Sequence, residues 1–467
     1  MDQIDSLSYD QQVLQQKILD LVEAEEGILL VNSPGGTGKT YTAVQTAIAV
    51  LRADPKARVV LSAPTHVAKE ELASKIPANV ADDIRNRIEV VTCAKLFGCY
   101  IREDIRTGKK DLHSTGSPMI LRKWALIVID EISAVSWHRM VSKMLDWRKD
   151  LSPVVALGDP AQLPPVKEKV SPLFQIADEV FELTQQHRNG GPIEQCAQQA
   201  RFSVYYPTES LGDSVIVHES HEAFIQSMIN FVTLDNAKDC SYLAYTNAAV
   251  DAMSNRLRSS LYDTCGDWVP GEYIRLAGGQ TVLIETVDDA VVLDIRAQII
   301  NGLFTVVSNS NLERFQNKLS HYQQEGDRNH RLGNMDRAMF LWGKRSELTR
   351  TFMPCSSNLA LTVNKAQGRS IPYVWVDTPE IGRSSFRANR LYVAYSRASA
   401  QLNTVLMAPP PRFRTRNDIK RTIYEVSGHN VYSLRRALGL QMPAVTTHDL
   451  LKLLEIAEDA FAKSSTQ

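Results

Sequence analysis

The sequence predicts an α/β protein with two domains in series, and two observations predict it. Short apolar strands at 27–32, 58–63, 88–92, 125–129 and 153–157 alternate with helical or loop segments. That is the pattern of a parallel sheet covered by helices on both faces. A second set follows at 180–183, 215–218, 240–245, 358–362, 373–376 and 404–407, more strands than one such domain holds. The 467 residues suffice for two or three domains with full cores.

The first strand is the most informative element. Ile28-Leu29-Leu30-Val31 reads as buried, and Ser33-Pro34-Gly35-Gly36-Thr37-Gly38-Lys39-Thr40 follows it. Tyr41 to Leu51, rich in Ala, suits one helix. Strand, glycine loop and helix are the context of a phosphate-binding loop. Backbone N–H groups of Gly35 to Lys39 wrap the β- and γ-phosphates, and the helix N-terminus adds partial positive charge. Lys39 reaches the transferable phosphate and the Thr40 hydroxyl binds Mg²⁺. Ser33 stands where such loops usually begin with glycine, but Gly36 and Gly38, which bring backbone close to phosphate, are present. The expectation is a site for a nucleoside triphosphate.

Two stretches interrupt the alternation. Residues 98–123 are polar, with a Thr107-Gly108 turn between two short extended runs, which predicts a β-hairpin insertion. Residues 271–309 are rich in Val and Ile and lead into the charged, helix-forming 310–351, a β-rich insertion with a helical excursion. Pro409-Pro410-Pro411 marks a boundary before a tail that opens basic and ends in a predicted helix over 450–462.

Bulk properties narrow the classes. With 44% hydrophobic and 22% charged residues the chain reads as ordinary globular protein. A net charge of −1 supplies no bulk field for nucleic acid or membrane, so any polyanion site must come from local clustering. The cysteines at 93, 99, 196, 240, 265 and 355 form no CxxC pair, which argues against a zinc knuckle or disulfide framework and suits a reducing cytoplasm. No apolar run approaches the ~20 residues of a membrane span. The start, polar and acidic through Asp10, reads as neither signal nor transit peptide.

Two further motifs carry chemistry. Leu126-Ile127-Val128-Ile129 ends in Asp130-Glu131. An acid there, beside the phosphate loop, holds Mg²⁺ directly or through water, and the adjacent glutamate accepts a proton from the attacking water. Alone, Asp130 would serve equally as a helix cap. Gly158-Asp159-Pro160-Ala161-Gln162-Leu163-Pro164-Pro165-Val166 ends another strand. Its Gln162 amide can donate to a γ-phosphate or orient a water, and the prolines hold one loop shape.

The ordered set resembles the superfamily 1 helicases. Gln11 matches the motif that reads adenine, 33–40 motif I, Pro64-Thr65-His66 motif Ia, Asp130–Ser133 motif II and 158–166 motif III. Leu183 to Arg188 matches motif IV and Tyr245-Thr246-Asn247 the motif after it; Leu361 to Ser370 matches motif V and Leu391 to Ala398 motif VI. The matches run in the family's order from about 7 to 398. Gln-Leu-Pro-Pro in motif III and Lys-Ala-Gln-Gly in motif V are similar to the RecD-like branch that includes the Dda-type phage helicases.

The resemblance implies two RecA-like P-loop domains in tandem, with a β-hairpin insertion in the first and an SH3-like β insertion in the second. Domain 1A would take 1–97 and 124–176, the pin hairpin 98–123, and domain 2A 177–270 and 356–410. Domain 2B would take 271–355, and 411–467 would form an extension beyond the resemblance. It implies ATP and Mg²⁺ as cofactors, 5′→3′ movement on single-stranded DNA, unwinding of forked DNA, and a cytoplasmic monomer working in a bacterial or phage-infected cell with replication or recombination proteins. Catalytic roles fall to Lys39, Asp130, Glu131, Gln162 and the arginine fingers Arg188 and Arg397. Nucleotide binding falls to Gln11, Pro34, Gly35, Gly36, Thr37, Gly38, Lys39, Thr40, Tyr41 and Gly368, with Thr40 and Asp130 on the metal. Strand contacts fall to Pro64, Thr65, His66, Thr92, Phe97, Thr246, Asn247, Thr362 and Asn364. Phe97 suits core burial as well as base stacking, and His66 a plain helix start. Asn364, where the family commonly has His, and Thr92-Cys93-Ala94, where it commonly has Thr-x-His, depart from the pattern at strand-contact positions. RNA as the polymer, a silent clamp, and the motor subunit of a nuclease complex are the alternative readings.

Overall fold

The computed structural model describes residues 7–106, 110–114, 118–136, 151–165, 168, 170–183, 191–264, 266–276 and 279–407. Arg188, the hairpin tip at 107–109 and the 411–467 extension lie outside the described residues.

The first sheet uses β1 (Ile28–Asn32), β2 (Val59–Ala63), β3 (Ile88–Thr92), β6 (Leu126–Ile129), β7 (Val154–Gly158) and β8 (Glu179–Glu182); β4 (Cys99–Glu103) and β5 (Lys110–Ser114) form a separate antiparallel hairpin. Its order is β3-β2-β6-β7-β1-β8, with parallel neighbours throughout. Strand side chains alternate between faces. Leu29, Val31, Leu61, Val128 and Leu157 pack on one side with the helices Tyr9–Ala24 and Lys39–Ala53. Ile28, Leu30, Val60, Ile127, Ile129 and Ala156 pack on the other. Burial on both faces explains why these strands read as continuous apolar runs.

One expectation is corrected. The strand near 180–183, placed at the head of the second set, is β8, and Leu29 to Asn32 of β1 pair with it from Glu179 to Glu182. The first sheet therefore runs past the expected boundary at 176. β8 is the mostly exposed edge strand of that sheet, and its parallel pairing with β1 is set by topology, which sequence order does not specify.

The second sheet has the order β17-β10-β18-β19-β9, again all parallel. Its strands are β9 (Val215–His218), β10 (Cys240–Ala244), β17 (Ala360–Thr362), β18 (Ile371–Val376) and β19 (Ala398–Val405). Helices Pro192–Phe202 and Arg387–Tyr395 cover one face, and His221–Phe231 with Asn247–Tyr262 the other. Between β10 and β17 the chain leaves the sheet. β11 (Tyr273–Leu276) pairs with β12 (Thr281–Leu283) and with β16 (Cys355–Ser357), which closes the excursion. β13 (Val287–Val292), β14 (Ile295–Ile300) and β15 (Phe304–Val307) form a second three-stranded meander, and helices Leu312–Arg331 and Met335–Thr351 stand beyond it. Arg258 ties this insertion down: it is 4% exposed, forks onto Glu272 at 2.7 and 2.9 Å, and lies over the Trp268 ring. Such a bidentate pair keeps both buried charges hydrogen-bonded.

Candidate nucleotide site and strand groove

The phosphate loop joins β1 to the helix Lys39–Ala53. Gly36 and Gly38 take φ of +92° and +82°, a region open to glycine and strained for other residues. Thr37 Oγ1 donates to Pro34 O at 3.1 Å, and Lys39 Nζ lies 3.5 Å from the same carbonyl. Lys39 is 7% exposed. Gln11 sits behind the loop. Its side chain accepts from Ser8 N and donates to Thr37 O at 3.3 Å, so the helix cap is also the loop's brace. Tyr41 is exposed on the first turn beyond the loop.

The acids follow directly on β6. Thr40 Oγ1 donates to Asp130 Oδ2 at 2.8 Å, and Glu131 N donates to Asp130 Oδ1 at 2.8 Å. Hydroxyl and carboxylate together are the hard oxygen donors Mg²⁺ takes, so the donor set fits that ion. Glu131 has φ +51°, and its buried Oε2 finds no hydrogen-bond partner among the described residues. Backbone strain and an orphaned acceptor in one side chain point to function rather than stability. Burial raises the carboxyl pKa of both acids above the ordinary range; Lys39 opposes this at both, and Arg397 also at Glu131.

Gln162, 4% exposed, accepts through Oε1 from Ser133 Oγ at 3.4 Å and from Gln367 Nε2 at 3.1 Å. Both sheets therefore meet at this amide, leaving its Nε2 to donate. Leu163 packs in the core beneath the second sheet, and Asn389 Nδ2 donates to the Ala161 and Gln162 carbonyls at 2.9 and 3.2 Å. Gly368 has φ +78°, and a Cβ there would lie 4.0 Å from Glu71 of the first domain. Arg397 is 8% exposed. Its Nε donates to Val393 O at 3.1 Å, Nη1 to Arg369 O at 3.0 Å and Nη2 to Ser396 Oγ at 2.9 Å. Its charge acts on Glu131 across the seam while these donors rest on its own domain.

Asp159 and Tyr392 escaped the sequence reading as single residues. Asp159 is fully buried; Oδ1 takes Arg201 at 3.2 and 3.3 Å and Ala161 N at 3.0 Å. Tyr392 donates to Oδ2 at 2.6 Å and accepts from Gly35 N at 3.2 Å. The sequence signals were Asp159 within 158–166 and a tyrosine within Leu391–Ala398, five residues before Arg397.

The expected strand contacts gather at the carboxyl ends of parallel strands, where open α/β sheets bind ligands. Thr65, past β2, caps the helix His66–Ser74 by accepting from Ala68 N at 3.1 Å; Thr65 and His66 are exposed and Pro64 half-buried. Thr92 ends β3 and caps Cys93–Leu96, accepting from Lys95 N at 3.3 Å. Thr246, past β10, caps Asn247–Tyr262 and also donates to Glu380; Asn247 is exposed. Thr362 ends β17 at 8% exposure, with Asn364 exposed beside it. Phe97 is corrected: at 1% exposure it lies in the core below β3 and offers no face to a base. Apolar burial decided between its two readings. On the hairpin, Arg106 Nε stands 3.9 Å from Asp327 Oδ1 of the helical excursion.

Comparison with known proteins agrees with this layout. An AAA domain family matches residues 7–203, and a UvrD-like helicase C-terminal domain family matches 358–405. The ATP-dependent DNA helicase dda of Enterobacteria phage T4 is 25% identical over 268 residues, 55% of this chain and 58% of that protein. An uncharacterized protein of Acanthamoeba polyphaga mimivirus is 32% identical over 172 residues, 35% of this chain and 34% of that one. The chain thus aligns with little over half of the first relative and a third of the second. Among solved structures, a Pif1 helicase from Candida albicans gives 15% identity and a TM-score of 0.43, covering 87% of this chain and 96% of that one. Bacteroides Pif1 bound to ssDNA gives 14% and 0.43, covering 91% and 98%. The two domain matches fall on the motifs of the two sheets, and the chain is similar to the phage helicase over more than half of its length.

Proposed function

We propose that the protein is an ATP-dependent DNA helicase that moves 5′→3′ on single-stranded DNA and opens forked duplex. The observation that supports this reading best is the seam: a phosphate loop and acid pair on one sheet face Gln367, Gly368 and Arg397 from the other. Groups on both lobes make the site complete only when the cleft is closed, so nucleotide state and domain spacing are one variable.

In this reading Lys39 and the loop amides bind the β- and γ-phosphates. Thr40 and Asp130 would hold Mg²⁺, which would supply positive charge against the phosphates. Glu131 accepts a proton as water attacks the γ-phosphorus and the bond to the bridging oxygen breaks, leaving ADP and phosphate. Gln162 orients the water or the γ-phosphate. Arg397 turns from its own carbonyls toward the charge that develops in the transition state, and Arg188 serves as the second finger. Gln11, beside the loop, reads the base. Thr65, His66, Thr92, Thr246, Asn247, Thr362 and Asn364 grip strand phosphates in turn as the lobes close and part. The hairpin acts as the wedge, and one chain carries every group named, so the monomer is the working unit.

ATPase assays with single-stranded DNA, with an RNA oligonucleotide and with neither test the proposal. Strong stimulation by DNA is expected. Stimulation by RNA alone would make the polymer RNA, and no turnover under any condition would reduce the chain to a clamp.

A further inference from the structure

The amide of Gly35 belongs to the set that the proposed function gives to phosphate, yet here it donates to Tyr392. This tyrosine comes from the second domain, from the helix Arg387–Tyr395, and is 2% exposed. Its proton is committed. Burial and Asp159 push the phenol well above its ordinary pKa, so the hydroxyl stays protonated, and that proton lies on Asp159 Oδ2 at 2.6 Å. Asp159 is itself fixed by Arg201 and by the Ala161 amide. One phenolic oxygen thus bridges a fixed carboxylate to the phosphate loop.

We propose that the Tyr392 hydroxyl is a place-holder for a nucleotide phosphate oxygen, a latch that holds the two lobes together before ATP arrives and is displaced when ATP binds. A phosphate oxygen is an anionic acceptor, and a charge-assisted bond from Gly35 N–H outcompetes the neutral phenol. Phosphate offers no donor, so Tyr392 must either leave Gly35 or turn its one proton from Asp159 toward the newcomer. Parting from Gly35 frees the helix Arg387–Tyr395, which leads into Arg397, to shift, and turning the proton alone loosens its hold on Asp159. The residue is therefore a positioning residue: it couples filling of the loop to release of an arginine whose donors now rest on Val393 and Arg369.

This rests on the nucleotide-binding reading of the loop, and the test separates the two. Binding of a fluorescent ADP analogue is measured with Mg²⁺ and without DNA, for wild type, Tyr392→Phe and Asp159→Asn. Tyr392→Phe keeps the ring but cannot accept from Gly35; Asp159→Asn keeps the shape and weakens the hold on the phenol. Both should bind the analogue about three- to tenfold more tightly, the scale of one net hydrogen bond, with KM for ATP falling in parallel while melting temperature falls or holds. A merely structural role predicts weaker binding in step with lost stability. If wild type binds and Tyr392→Phe binds equally or more weakly while folded, the latch is overturned; if Tyr392→Phe proves unstable, Asp159→Asn decides by the same criterion. Failure of wild type to bind overturns the underlying reading and the latch with it.

Discussion

At the scale of single residues, Lys39 and Glu131 carry the chemistry that the proposed function assigns, and each makes a separable prediction. Lys39 is buried against the loop, and its charge opposes the raised pKa of both acids. Lys39→Ala should lower ATP turnover by about 10²–10³-fold, as expected for losing one preorganised cation, with circular dichroism unchanged; undiminished turnover would place the site elsewhere. Glu131→Gln should still bind ATP and hydrolyse it about 10²–10⁴-fold more slowly. The same substitution should also stabilise. Because burial raises the Glu131 pKa in the folded state, the native protein holds a proton that the unfolded chain has lost, so stability falls as pH rises through that window. The gain in melting temperature of Glu131→Gln should therefore be larger near about pH 8 than near about pH 4.5, the ordinary glutamate range. The loop geometry between 33 and 40 was legible because glycine spacing and the flanking strand and helix state it directly. Tyr392 and Asp159 were not, since their partnership is a contact between residues 233 apart in sequence.

At the scale of elements, the end of β7 is under tight steric control. A Cβ at Gly158 would approach Ile132 Cγ1 to 2.4 Å and Phe174 Cζ to 3.1 Å. Gly158→Ala should cost about 1–3 kcal/mol by overpacking and reduce turnover, because Ile132 follows Glu131; an unchanged melting temperature would contradict this. The hairpin makes a second prediction. Replacing 106–110 by a shorter turn should impair unwinding more than translocation, read as duplex opening against displacement of streptavidin from single-stranded DNA. Equal loss of both activities would count against a wedge. Most strands and both insertions were readable from apolar runs and turn residues. β8 was assigned to the wrong sheet because partners in parallel sheets are set by topology, not by neighbourhood in sequence. Phe97 was ambiguous because its chemistry suits a core and a stacked base equally, and only burial decides.

Across the whole molecule, the two sheets are joined where chemistry is expected. Tyr392 reaches Gly35 and Asp159, Gln367 reaches Gln162, and Leu163 enters the opposite core. In the proposed function, packing of this kind lets a phosphate group shift the lobes, since bonds across the seam involve the loop assigned to nucleotide. Ordered motifs made two lobes predictable from sequence, but direction of movement rests on the likeness of motifs III and V to one branch. Unwinding of duplexes carrying either a 5′ or a 3′ single-stranded tail, with ATP and Mg²⁺, tests the account most directly. It predicts strand separation from the 5′-tailed substrate, abolished by Lys39→Ala; separation from the 3′-tailed substrate alone, or without ATP, would contradict it.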